Sequence, residues 1–266
     1  MFSRMFSKQN KKSHVGLIEN EGETIAASTK PYVDIELTKA RDLSPWASKV
    51  LGNPYLPKNV NIPRSSNNKP LYMLAQINFE EMPRLDPFPT SGLLQFWIAS
   101  DDLYGLDIEN TTKQDGFRIL YYPQLINDQD FNDATKSELD ENGFYPFLDG
   151  TTNLAISYSL DEMPPTLTGY HFEKIFGDRP QHFIDAYATT FADGGHRIGG
   201  YADFTQCDPR SESSVLADKE HLLLQIDSDA DAGIWWGDGG TANFFISDTD
   251  LRQKNFSDVL YTWDCA

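Results

Sequence analysis

Residues 92–103, GLLQFWIASDDL, align without a gap on residues 240–251, GTANFFISDTDL, at an offset of 148. The alignment sets Gly92 on Gly240, Phe96 on Phe244, Trp97 on Phe245, Ile98 on Ile246, Asp102 on Asp250 and Leu103 on Leu251. Two more blocks fall in the same order. VLGNPYLP at 50–57 meets IGGYADFT at 198–205, and LAQINF at 74–79 meets LLQIDS at 223–228 with a slip of one residue. Blocks in constant order at near-constant spacing read as internal repetition, which constrains the architecture before any single residue is weighed. Two diverged copies are expected, at about 46–123 and 194–264, joined by a middle segment without a counterpart. A fourth block, ILYYP at 119–123 on VLYTW at 259–263, fits if the first copy carries eight extra residues near Asn110 to Asp115.

Each copy supplies short apolar runs rich in strand formers: 71–79 and 221–227, 93–100 and 242–248, 117–123 and 258–263. Such runs, bounded by Gly, Pro and Asp clusters, read as buried strands. Pro31 to Leu37 alternates Val33, Ile35 and Leu37 and reads as an edge strand. The stretch from Asp248 reads as a helical turn with Asp248 as its cap. The middle segment holds a strand, NLAISYSL at 153–160, then helix-like stretches at 169–176 and 180–191, the second opened by Pro180. The expected class is α+β with mainly antiparallel strands and helices in the middle segment.

Lys and Arg number 22 against 40 Asp and Glu, a net charge of −18, which argues against nucleic acid or an anionic membrane surface as a partner. Two cysteines exclude a disulfide framework, and 39% hydrophobic content excludes a disordered chain. No run approaches the roughly 18 apolar residues of a membrane span, so a cytoplasmic protein is expected. Residues 1–30 are set apart as a basic, flexible terminal segment with Arg4, Lys8, Lys11 and Lys12 at its start, and 31–266 as one domain.

Several segments carry a family resemblance: SKVLGNPYLP (48–57), LAQINFEEMP (74–83), GLLQFWI (92–98), HRIGGYADFTQ (196–206), LLLQIDSD (222–229) and IWWGDGGTANFFISDTDL (234–251). Through them the chain resembles the YwqG-like family of uncharacterised bacterial proteins. It departs at Val50–Leu51, where the family pattern is closer to Phe-Gly, and at Ala202, where proline is common. The resemblance implies a compact α+β unit with an internal duplication, and brings no catalytic residue set. Family members near secreted-toxin loci imply an immunity-type role by association.

Four patterns hold candidate site residues. Asp227, Asp229, Asp231 and Asp238 have the spacing of oxygen ligands in a calcium loop, against the reading of a solvated acidic turn. Ala232 stands where such a loop wants glycine. The run Gly194 to Gly200 encloses His196 and Arg197 and reads as a glycine turn required by folding, or as an anion site. Gln76 and Gln225 are equivalent amides in apolar strands; each fixes a loop backbone or lines a cleft between the copies. Trp235 and Trp236 precede Asp238; one of two adjacent strand residues must face inward, against a sugar platform. The histidines at 14, 171, 182, 196 and 221 are scattered, and no Ser or Cys sits in a nucleophile context. No cofactor is expected, with calcium the one ion considered.

Two functions follow as expectations. The first is a non-enzymatic binding protein, an immunity-type inhibitor whose acidic face meets a basic protein partner. The alternative is a hydrolase or small-ligand enzyme with a site between the copies, drawn from Gln76, Gln225, His196, Arg197, Trp236 and Asp238.

Overall fold

A computed structural model describes residues 18–58, 60–126, 142–148, 153–191, 194–211 and 213–266. The basic residues 4 to 12, His14 and Asp193 lie outside the described residues. The strands are Lys30–Ala40 (β1), Lys49–Val50 (β2), Tyr72–Asn78 (β3), Leu93–Ile98 (β4), Phe117–Tyr122 (β5), Asn153–Met163 (β6), His196–Gly199 (β7), His221–Asp227 (β8), Thr241–Ile246 (β9) and Leu260–Asp264 (β10). Among the described residues, four short helices are Gly22–Ser28 (α1), Tyr170–Phe176 (α2), Gln181–Thr190 (α3) and Asp248–Gln253 (α4). The strands form one sheet in the order β10-β9-β8-β7-β1-β6-β2-β3-β4-β5, every neighbouring pair antiparallel, rolled into a nearly closed barrel.

Every residue of β3, β4 and β9 is buried, which is unusual for antiparallel strands with one wet face. The reason is that both faces are covered. Inside the barrel, Phe96 meets Phe244 with ring centroids at 5.0 Å, and Phe244 stacks on Tyr261 at 4.5 Å. Outside, Leu56, Leu71, Met73 and Trp97 form a satellite core in the first half, and Ala202, Phe204, Leu222, Phe245 and Leu260 form one in the second. Period-two alternation is therefore absent from these strands, and they read as continuous apolar runs.

Ladder details match between the halves. β3 pairs β4 with a register shift between Met73 and Ala75; β8 pairs β9 with one between Leu222 and Leu224. Lys49 lies opposite Gln76, and Arg197 opposite Gln225. The fourth block needs correction: Phe96 faces Ile119 and Phe244 faces Tyr261, so Tyr261 occupies the place of Ile119 rather than of Tyr121. The shift is two residues and keeps the same side chains facing inward.

Four other expectations change. Pro31 to Leu37 is central, since β1 sits between β6 and β7; its alternation reflects one solvated face, with Val33 and Ile35 buried and Glu36 exposed. The middle segment is not wholly without a counterpart. β6 and β1 pair along all eleven residues, and Lys49 and Val50 of β2 face Ala155 and Leu154 of β6 as Arg197 and Ile198 of β7 face Asp34 and Val33 of β1. The cap of α4 is Ser247, whose hydroxyl accepts Asp250 N–H at 3.1 Å, rather than Asp248. Within the terminal segment set apart at 1–30, α1 is ordered onto the body. Its Ile25 packs with Phe172, Phe176, Phe183 and Tyr187, and the Tyr201 hydroxyl donates to Ser28 O at 2.6 Å.

Between the sheet ends, loop residues 101–116 bridge to β10. Tyr261 N–H donates to Thr111 O at 3.0 Å, the Tyr261 hydroxyl to Tyr104 O at 3.0 Å, and Trp263 Nε1 to Leu103 O at 2.7 Å. Loop 101–116 thus serves barrel closure, satisfying edge groups that no strand pairs. Phe244 stands where the halves meet, so Phe244→Ala should cost about 3–5 kcal/mol in chemical denaturation. Leu148→Ala, at 85% exposure, should stay within about 0.5 kcal/mol.

Candidate functional site

Gln76 is fully buried because both ends of its amide are used by one loop. Its Oε1 accepts Tyr55 N–H at 2.8 Å, and its Nε2 donates to Pro45 O at 2.8 Å and Ala47 O at 2.9 Å. Gln95, opposite on β4, donates to Tyr55 O at 2.7 Å and to Gln76 Oε1 at 2.9 Å. Gln225 repeats this: Oε1 accepts Asp203 N–H at 2.8 Å, Nε2 donates to Gly195 O at 2.7 Å, and Asn243 Nδ2 donates to Asp203 O at 2.8 Å. In both halves two strand amides hold the N–H and C=O of one loop residue, Tyr55 or Asp203, as a ladder partner would. The glutamines face these outer loops, each in its own half. They do not meet in a shared cleft.

The cation beside each amide completes the lock. Lys49 Nζ donates to Ser44 O at 3.0 Å, Pro45 O at 3.2 Å and Asn53 O at 2.9 Å. Arg197 donates to Gly194 O and, at 3.2 Å, to Tyr201 O. Burial pulls the Lys49 ammonium down to about 8, with Glu81 opposing. The chain turns between these carbonyls through paired left-handed residues, Leu51 and Gly52 at φ 61° and 80°, and Gly199 and Gly200 at 76° and 63°. Leu51 holds its left-handed backbone at the usual cost of about 1–2 kcal/mol. Its side chain is buried in the inner core, which offsets that cost.

The remaining candidates gather around His196. Its Nδ1 accepts Asp227 N–H at 3.1 Å, so the proton sits on Nε2, 3.3 Å from Asp229 Oδ2. Burial lowers the imidazole's pKa, against the pull of Asp229, Asp227 and Asp34, and favours this neutral form. Asp227 Oδ2 accepts Gly195 N–H at 2.7 Å, so the anion that the glycine run meets is the chain's own carboxylate. Asp229 Oδ1 accepts the N–H groups of Asp231 and Ala232 at 2.9 and 3.0 Å. Burial raises the Asp229 carboxyl, but these donors and His196 outweigh it and hold it below the ordinary value. Asp231 and Asp238 are exposed, and among the described residues no three His, Cys, Asp or Glu side chains converge to hold a metal ion. Trp236 is fully buried, edge-on to Tyr104 at 5.4 Å, while Trp235 faces out at 48% exposure.

Sequence reasoning missed the partners that complete the locks. Gln95 and Asn243 fall at equivalent places in aligned blocks, and Lys49 falls on Arg197; the signal lay in reading the alignment for polar pairs as well as apolar ones. It also missed a buried group in the second half. Arg210 donates to Asp208 through Nε at 2.9 Å and Nη2 at 2.6 Å and lies 3.8 Å over the Phe245 ring, while Lys219 reaches Asp258. Spacing offers no signal for these. His171, treated as scattered, packs between Tyr170 and Tyr201.

Residues 48–265 match the family described as Domain of unknown function (DUF1963), and the chain belongs to that family. A search of curated proteins finds no match.

Gln76→Ala and Gln225→Ala leave a loop N–H and carbonyls buried without their partner, and each should cost at least about 1–3 kcal/mol in urea denaturation. His171 titrates near 3, lowered first by burial and then by Lys30 and Arg210. The unfolded chain, titrating near 6.5, binds this proton more readily than the folded one. Its contribution to stability is therefore present above about pH 6.5 and is lost as pH falls from there toward 3. His171→Gln should flatten that part of the stability curve, measured as denaturation midpoint against pH.

Proposed function

We propose that the protein is a non-enzymatic binding protein for a basic protein partner, an immunity-type inhibitor built from two copies of one strand unit. One observation carries this reading: among the buried charged groups cations outnumber acids. Among the described residues Lys49, Arg197, Arg210 and Lys219 are buried, against a single buried carboxylate, Asp208. The surface is thus more negative than the net charge of −18 states. The groups that could act in catalysis are engaged in support: both nitrogens of His196, the Lys49 ammonium and the Arg197 guanidinium all hold backbone or carboxylate groups.

An acidic surface of this kind steers a cationic partner and makes association fast and salt-sensitive. The groove beside loop 101–116, about 560 Å³ in volume, adds Asp101, Asp107 and Glu109 to the exposed side chains of Leu103 and Ile108. Affinity capture from the native host should recover a basic protein at low salt and lose it near 1 M salt, where screening reaches about 3 Å. The recovered protein, once purified, should associate at least about tenfold more slowly on moving from low to physiological salt. Recovery of acidic or neutral proteins alone, or an association rate indifferent to salt, would end this reading.

A further inference from the structure

We propose that the uncovered edge of β6 accepts an extended, lysine- or arginine-bearing segment of a partner protein as an added strand. The choice of a cationic segment rests on the basic-partner reading above; the edge itself does not. β6 pairs β1 over its whole length, but on its other side β2 pairs only Ala155 and Leu154. Among the described residues no strand or isolated bridge continues along 156–163. Beyond the ladder with β1, the backbone hydrogen bond shown for this stretch is Glu162 N–H to the adjacent Asp161 carboxylate at 2.8 Å. An open strand edge presents a row of N–H and C=O groups that a second strand satisfies.

A groove of about 610 Å³ runs beside the start of this edge, lined by Leu43, Ser48, Glu81, Met82, Ser157 and Tyr158. The Tyr158 hydroxyl is buried there beside the side chain of Ser48. Glu81 already accepts Ser48 N–H through one oxygen at 2.7 Å. Farther along, Leu160 is 55% exposed beside exposed Asp161 and Glu162. Eight residues span roughly 26 Å, enough for a full-length added strand. The occupant follows from charge. Asp161, Glu162 and Glu81 would repel a second copy of this acidic chain and attract cationic side chains. The matched edge of β1 is covered over 32–35 by β7, so the longer opening belongs to β6.

The test uses the full chain and two defined probes. One is a ten-residue peptide alternating Lys and Val; the other is the same peptide N-methylated at alternate amides, which keeps charge and removes pairing donors. The proposal expects saturable binding of the first probe, affinity at least about tenfold lower for the second, and slowed amide exchange confined to 156–163. The exposed double variant Asp161→Lys/Glu162→Lys should lose at least about tenfold in affinity with its thermal midpoint unchanged. Equal, salt-sensitive binding of both probes without protection at 156–163 would overturn the added strand and leave the basic-partner reading standing. No binding of either probe, or concentration-dependent self-association that protects 156–163, would overturn it as well.

Discussion

A buried carboxamide is tolerable in an apolar strand only when both ends of its dipole are used, and this constraint organises each half of the protein. Gln76 and Gln225 satisfy it by drawing an irregular loop onto the outer face of the sheet. The loop then covers that face, and β3, β4, β8 and β9 lose the wet side that antiparallel strands usually keep. Outer satellite cores follow under the loops. The paired left-handed residues at 51–52 and 199–200 follow too, because the chain must reverse sharply enough to bring its carbonyls back to Lys49 or Arg197. One polar residue per half therefore accounts for a strand buried on both faces, a loop of fixed path and a cation with no access to solvent.

Much of this was legible in the sequence because it is local. Offsets of 148 and 149 align Ala47 with Gly195, Lys49 with Arg197, Tyr55 with Asp203, Gln76 with Gln225 and Gln95 with Asn243, which are the members of the two locks. Calcium-like spacing at Asp227 and anion-loop spacing at Gly194 were legible as patterns too. The pattern did not say that Asp227 and Gly195 would bond to each other. Spacing gives which groups are near in sequence, whereas the partner of a carboxylate is set by how two strands distant along the chain are laid side by side.

The centre of the sheet was the least legible part, for a physical reason. β1 and β6 share no sequence block, since a strand pair with one solvated face needs only alternation there, and many residue choices meet that need. Their pairing through Glu36 and Ser157 joins a strand preceding the first half to one preceding the second, each continuing into the other's sheet. The first strand of each half thus lies nearer the other half than its own following strands, and the barrel cannot be divided at one point in the chain. Reading Pro31 to Leu37 as an edge took solvation of one face for solvation of a side.

Interior cations also explain why so acidic a chain can stay folded. Self-repulsion among surface carboxylates opposes compaction, and outward-facing lysines would screen it. Here four cations bind backbone carbonyls or carboxylates inside the structure, where a lower dielectric makes each interaction stronger than at the surface. The same groups are then unable to neutralise the exterior. Removing surface acids would relieve the repulsion without touching the locks, so the fold does not require so negative an exterior. The excess of acid is a property of the surface and not of the locks.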